Sequence, residues 1–249
     1  MGNFPKQRQL AEKAIEKFPS HEKFYLLLGE LHEHLQHLQD ARQVYQKGLK
    51  HSPNSVPLWM AYAALELKTS ASRARAVCEK ARLKNPKQPQ LWAYAVQVEL
   101  AAESTETAKT LLSKAIQECP DSGLLRAMSI EMAPKPQKKA ISYDALNRCN
   151  DDPHVVLAVA KLFWAERNKK TKQWLERATL DSKFGDAWAY RYKYLLVHGS
   201  EKEITELEEA CDKAKPKQGD LWKPVKRDIS NIKLKPSQIM KIVAQKIDI

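Results

Sequence analysis

The sequence predicts an all-α chain, a right-handed superhelical solenoid of repeated helical hairpins, and three observations carry that expectation. Prolines stand at a near-constant interval, at Pro19, Pro53, Pro86, Pro120 and Pro153. A second ladder interleaves with them: Tyr25, Trp59, Trp92, Leu125, Val155, Trp188 and Trp222 fill one large apolar slot at the same interval, apart from a shorter step between Leu125 and Val155. Only seven glycines are present among 249 residues, and no stretch alternates apolar and polar residues long enough for a sheet. A recurrence of about 34 residues that carries two helical stripes per period marks a stacked-hairpin array.

The stretch Pro86–Pro120 shows the unit most clearly. Leu91, Trp92, Ala95, Val98 and Ala102 fall on one stripe of a helical period, which predicts an amphipathic first helix. Glu103, Ser104 and Thr105 break it. A second stripe follows through Ala108, Leu111, Leu112, Ala115, Ile116 and Cys119, and Pro120 closes it. Small residues at Ala95, Ala108 and Ala115 let the two backbones approach, and Trp92 supplies bulk for the wedge between neighbouring helices.

Taken in order, residues 1–19 read as the second helix of a truncated repeat, with Leu10, Ala14, Ile15 and Phe18 on its apolar face and Pro19 at its end. The chain therefore reads as starting within an array, as a fragment of a longer protein does. Repeats are expected at 20–53, 54–86, 87–120, 121–153, 154–183 and 184–216, and 217–249 forms a last repeat with a capping helix, all in a single solenoid. The first carries Tyr25, Leu28, Gly29, Ala41, Tyr45, Gly48 and Pro53, a close match to the tetratricopeptide pattern, with Gly29 admitting a close helix contact. The second has Trp59, Tyr62, Ala63 and Glu66, then Ala74, Arg75, Cys78 and Ala81; its two aromatics, its Glu and its Arg resemble the half-a-TPR (HAT) variant. The fourth is degenerate, with Leu125 in the tryptophan slot and Pro134-Lys135-Pro136 at the turn, so its first helix should be short. The fifth restores the pattern with Val155, Ala158, Phe163, Trp164, Trp174, Leu175 and Ala178, although Ser182 replaces the closing proline. Trp188, Tyr192, Leu195, Ile204, Leu207, Cys211 and Ala214 mark the sixth. Trp222, Val225 and Ile229 open the seventh, and Pro236 starts a helix with Ile239, Ile242, Val243 and Ile247 inward and Lys241 and Lys246 outward.

Four cysteines without CxxC spacing read as reduced thiols, and no run approaches the roughly 18 apolar residues that a membrane helix needs. The Met-Gly start has Lys6 where a myristoylation signal wants Ser or Thr. Phosphate-binding glycine loops and nucleophile elbows are lacking from the sequence, so no cofactor, small-molecule substrate or catalytic residue is expected. His32, Glu33, His34 and His37 miss the HExxH spacing because Gln36 stands at the needed position; His34 and His37, three residues apart, could hold an adventitious ion but read as two solvated helix histidines. Tyr25, Gly29, Tyr45, Trp59, Tyr62, Trp92, Trp188 and Trp222 are structural repeat positions. The net charge of +12 favours an acidic partner. Basic residues cluster at Lys135, Lys138 and Lys139 and at Arg167, Lys169, Lys170 and Lys172, both placed at turns. They cluster again, more densely, at Lys223, Lys226, Arg227, Lys233 and Lys235, which are the candidate contacts to a partner or to RNA. The acidic run Glu201, Glu203, Glu206, Glu208 and Glu209 argues against a continuous RNA stripe.

Beyond the repeat class, the runs ARQVYQKGLKHSP, RARAVCEKARLKNPKQPQLW, KAIQECPDSG, DPHVVLAVAKLFW, DSKFGDAWAYRYKY and GDLWKPVKRDI resemble the C-terminal HAT/TPR region of the pre-mRNA-processing factor six family, bridging proteins of the tri-snRNP. The resemblance implies a nuclear, non-catalytic scaffold that joins the fifth small nuclear ribonucleoprotein to the four/six particle through contacts with tri-snRNP proteins. A HAT module that binds RNA through its basic patches is the second reading. A chaperone-type domain gripping a C-terminal carboxylate would need three near-consensus repeats in a row, and one is present.

Overall fold

A computed structural model of the protein describes residues 4–180, 183–228, 231 and 233–247. Among them the chain is all-α, with a lone bridge between Phe184 and Gln218 in place of any strand, and its repeated hairpins make it a helical-repeat solenoid. It divides into two compact units, Met1–Leu125 and Arg126–Ile249.

In the first unit, α1 (Phe4–Lys17) is followed by three hairpins: α2 (Glu22–His34) with α3 (Leu38–His51), α4 (Val56–Leu67) with α5 (Ala71–Lys84), and α6 (Pro89–Ala101) with α7 (Thr105–Glu118). Each helix packs on the next, and the first helices also touch one another, α2 on α4 and α4 on α6, so they form a contiguous row. Tyr25, Leu28, Tyr45, Leu58, Trp59, Cys78, Leu91 and Val98 are buried in one shared core. One hairpin cannot cover both of its apolar stripes, and stacking supplies the missing cover. On α1 the buried residues are Ala11 and Ile15, whereas Leu10 and Phe18 are 59% and 51% exposed, which corrects the face read from the sequence by about one position. A Cβ at Gly29 would overlap the Tyr45 ring, so this glycine sets how closely α2 and α3 approach.

The two ladders of the sequence meet physically. The indole Nε1–H of Trp59 donates to the carbonyl of Pro53 at 2.7 Å, that of Trp92 to Pro86 at 2.7 Å, and that of Trp222 to Pro216 at 3.1 Å. Every such bond runs back from a first helix to the end of the preceding hairpin. A ladder of charge crosses the same joints. Glu33, Glu66 and Glu99 recur at one constant interval, a repeat apart. Arg42 on α3 binds both carboxylate oxygens of Glu66 on α4, and Arg75 on α5 binds Glu99 on α6 at 2.8 Å while reaching Ser104 at 3.1 Å. Arg75 thus pairs with the glutamate of the following repeat rather than with Glu66 of its own. Glu33 has no such arginine and instead accepts from the Tyr45 hydroxyl at 2.6 Å and the Lys68 ammonium at 2.7 Å.

The second unit contains most of α8 (Gly123–Met132), then α9 (Lys135–Cys149), α10 (Pro153–Ala165), α11 (Thr171–Ala178), α12 (Gly185–His198), α13 (Glu201–Ala214), α14 (Trp222–Arg227) and α15 (Pro236–Gln245). At 10 residues α8 is shorter than the 12 to 14 of the other first helices before α14, as its degenerate sequence predicts. Pro134 and Pro136 do not break a helix; they frame the first turn of α9, and Lys135, Lys138 and Lys139 lie on that helix rather than in a turn. Ser182, which stands before Trp188 where the other tryptophans have their proline, and Ile229 both lie outside the described residues.

Two helix starts here are fixed by carboxylates from other helices. Asp186 on α12 accepts from the backbone N–H groups of Asp220, Leu221 and Trp222 at 2.8, 3.2 and 2.8 Å and so caps α14, while Asp212 on α13 accepts from Ser237 N–H at 2.8 Å and caps α15. Gly219 adopts φ +131° directly beneath Asp186, where a side chain would strain the backbone and overlap the carboxylate. Burial pushes the Asp186 carboxyl up from its ordinary value, and the three N–H donors oppose that rise. Lys241, read as pointing outward, pairs with Glu208 at 2.9 Å.

Two substitutions test these joints. Trp92→Ala is expected to cost about 3–5 kcal/mol in urea unfolding, as for other buried large aromatics, and Trp92→Phe about 1 kcal/mol for the lost bond to Pro86. An alanine cost under about 1 kcal/mol means that Trp92 does not carry the joint. Arg42→Met strands the Glu66 carboxylate, which is 2% exposed, and should cost about 2–3 kcal/mol, with Arg42→Met/Glu66→Met recovering most of it. Additive losses in the double variant would show that the two side chains are not coupled.

Candidate protein-binding surface

The expected structural positions fall where the repeats meet. Tyr25, Gly29, Tyr45, Trp59, Trp92, Trp188 and Trp222 are all buried. Tyr62 is half-buried at the surface, and its hydroxyl accepts from Gln46 Nε2 at 2.8 Å. None of the tryptophans in this slot offers a ring face for stacking on a base, because each fills the wedge between hairpins.

The first unit leaves both polar groups and single large apolar side chains accessible, among them Leu27 and Leu83. Glu30, Glu33, His34, Gln36 and Lys68 line a shallow hollow of about 260 Å³ next to the Glu33 node. Burial, reinforced by the hydrogen bond to Glu33, raises the Tyr45 phenol well above its ordinary range, so Tyr45 acts here as a hydrogen-bond donor and not as a base. The two buried thiols are held protonated at neutral pH, since burial pushes Cys78 up to about 11 and Cys211 up to about 12. The hollow presents charged and hydrogen-bonding side chains to solvent.

In the second unit much of the basic charge is already matched. Lys139 pairs with Glu166 at 3.4 Å, Arg177 with Asp151, and Lys172 with Glu203, a residue that also closes a capping box with Ser200 at the start of α13. Of the C-terminal cluster, Lys226 is half-buried and donates to the Pro216 carbonyl at 3.1 Å, the same oxygen that holds the Trp222 indole. Lys223, Arg227, Lys233 and Lys235 are exposed, the first two one turn apart on α14 and the others before α15.

The histidines differ among themselves. His34 and His37 are exposed as expected, but His32 is 3% exposed and its Nδ1 has no hydrogen-bond partner among the described residues. Burial, with the nearby Arg8 guanidinium, lowers the pKa of His32. What the sequence did not reveal is the turn that follows. Gln36 sits at φ 62°, and His37 N–H bonds back to the His32 carbonyl at 2.9 Å, a left-handed helix stop made without glycine. The same bond recurs from Ser104 to Glu99 behind Glu103 and from Asn168 to Phe163 behind Arg167, each at 2.9 Å. No helix among the described residues is long and apolar enough to cross a membrane.

Comparison with known proteins agrees with this architecture. The model of the PRP39 N-terminal HAT repeat matches residues 2–118. Pre-mRNA-splicing factor prp1 of Schizosaccharomyces pombe is 35% identical over 231 residues, covering 92% of this chain and 26% of that protein. Pre-mRNA-splicing factor 6 of Saccharomyces cerevisiae is 28% identical over 240 residues, covering 93% of this chain and 26% of that protein. Pre-mRNA-processing factor 6 of Homo sapiens is 45% identical over 115 residues, covering 45% of this chain and 12% of that protein. The chain thus spans about a quarter or less of the length of these relatives. Among solved structures, a tetratricopeptide repeat protein from Parabacteroides merdae shares the fold, with a TM-score of 0.51 at 15% identity over 98% of this chain and 92% of that one. The stacked hairpins with their Glu–Arg joints and the similarity along nearly the whole sequence make the chain a HAT/TPR-repeat relative of the pre-mRNA-processing factor six family.

Proposed function

We propose that the chain is a non-catalytic scaffold of pre-mRNA splicing, working in the nucleus, and that it helps to join the fifth small nuclear ribonucleoprotein to the four/six particle by holding tri-snRNP proteins along its helical-repeat surface. The observation that carries this reading is the 35% identity to a splicing factor over 92% of the chain, on a repeat fold. The contiguous row of first helices α2, α4 and α6 supports it, since an extended row suits a long bound segment better than it converges groups on one reacting atom. A second reading, direct RNA binding, draws on exposed Lys223, Arg227, Lys233 and Lys235, while the pairing of Lys139, Lys172 and Arg177 with acids reduces the basic surface left for phosphate.

Affinity capture from nuclear extract at two salt concentrations tests both. The scaffold reading expects tri-snRNP proteins to be retained at both salts, and equally by a variant with Lys223, Arg227, Lys233 and Lys235 each changed to Glu. Bare RNA held at low salt, released steeply as salt rises and lost in that variant, favours the RNA module. Absence of splicing proteins above the level captured by an unrelated repeat protein sinks the scaffold.

A further inference from the structure

We propose that His32, His37 and Asp40 form a binding site for a zinc-class divalent cation, which clamps the turn of the first hairpin. Asp40 Oδ2 lies 3.8 Å from His32 Nδ1 and 3.8 Å from His37 Nδ1, and one ligand atom from each of the three residues falls within 4.8 Å of the others. Tetrahedral zinc with bonds of about 2.0–2.2 Å holds neighbouring ligand atoms about 3.3–3.6 Å apart, so the two pairs at 3.8 Å need a closure of a few tenths of an ångström and the pair of imidazoles, within 4.8 Å, up to roughly 1.5 Å. Exposed His37 and Asp40, with side chains 54% and 53% accessible, are free to make that movement, while buried His32 is the fixed point.

The backbone builds this arrangement. The left-handed residue Gln36 turns the chain so that His37 N–H bonds to the His32 carbonyl, which returns His37 toward His32, and α3 then places Asp40 in its first turn. Asp40 has an ordinary explanation, since an acid in the first turn of a helix is favoured by the helix dipole. His32 has none: an imidazole nitrogen removed from water and left without a hydrogen bond is a standing cost, and a cation removes it. Two imidazoles with one carboxylate suit zinc and its borderline neighbours better than calcium or magnesium, which prefer oxygen. The hollow beside the triad, about 260 Å³, leaves room for a water as fourth ligand and also brings in Glu12, whose charge is shared with Arg8 at 2.8 Å. Three protein ligands and one open position make an exchangeable site rather than a closed structural one.

The test uses the untagged chain, stripped with a chelator and then titrated separately with Zn²⁺ and Co²⁺. One ion per chain is expected, with the visible absorption of tetrahedral Co²⁺ and a higher thermal midpoint in saturating Zn²⁺. His37→Ala and Asp40→Asn, both at exposed positions and so expected to fold, should each weaken binding by more than about tenfold and abolish the midpoint shift. His34→Ala, on the same helix as His32 but outside the triad, should bind like the parent. Equal binding by the parent, His37→Ala and Asp40→Asn overturns the site, as does loss of binding in His34→Ala or no stoichiometric binding by the parent.

Discussion

The bond from a buried tryptophan N–H to the carbonyl of the proline that closes the preceding hairpin is the constraint on which the repeat architecture rests. An indole wedged between hairpins gains by pairing its single donor, and the carbonyl at the end of a terminated helix needs a donor. Trp188, which has Ser182 in place of the proline, is buried with its Nε1 unpaired among the described residues. Proline ends the helix because it lacks an N–H and clashes with the preceding turn, and so it leaves its own carbonyl available at the joint. Trp59 with Pro53, Trp92 with Pro86 and Trp222 with Pro216 therefore fix both the angle and the depth at which one hairpin enters the next. Where the slot holds Leu125 or Val155 no indole donor exists. There the interval between slots contracts, and α8, which carries Leu125, is short.

Charge adds specificity to that packing. Apolar faces made of alanine, leucine and tyrosine are tolerant of slippage, whereas a buried carboxylate is not. Glu66 and Glu99 each require an arginine at one place on the preceding helix, and Arg42 and Arg75 supply it at matching positions. The second unit solves the same problem with caps: Asp186 and Asp212 each reach the start of a later helix, so α14 and α15 begin where those carboxylates point. At α14, which is only six residues long, Asp186 fixes the helix start and hydrophobic packing supplies the rest of the support.

Periodicity made the fold legible because the two residue types that set it, proline and tryptophan, are distinctive in sequence and each has a forced structural consequence. The unit from Pro86 to Pro120 folds as its stripes predict, with Leu91, Trp92, Ala95 and Val98 buried and Glu103 at the break. Partner choice was less legible. Glu66 and Arg75 were visible as a HAT-like pair, yet the sequence placed them in one repeat, because a sequence read repeat by repeat hides bonds that cross from one repeat to the next. The constant interval shared by Glu33, Glu66 and Glu99 was the available signal. The breaks at Glu103 and Arg167 were legible as turns, but the left-handed conformation there and at Gln36 was not, since ordinary residues occupy it where glycine is the usual marker. Lys226 looked like one more exposed base and instead shares a carbonyl with Trp222.

Nearest-neighbour stacking also limits how far any local event travels. Stability in an array is close to a sum of hairpin and joint terms, so an event at one hairpin acts on the hairpins that touch it. In the first unit the turn of the first hairpin lies beside such a joint: Asp40 and Arg42 share the start of α3, and Arg42 is the cation that Glu66 on α4 requires. Ordering that turn therefore acts on the joint to the second hairpin through Arg42, and the second hairpin passes the effect on at the next joint, where the Arg75–Glu99 pair, the Trp92–Pro86 bond and the shared core connect it to the third. Each step divides the coupling energy again, since every joint can relax. A partner that grips several first helices at once is not subject to that attenuation, because its own backbone links them. The row formed by α2, α4 and α6 is thus more sensitive to a long bound segment than to any single internal contact, which is the physical sense in which such a row suits the proposed scaffold role.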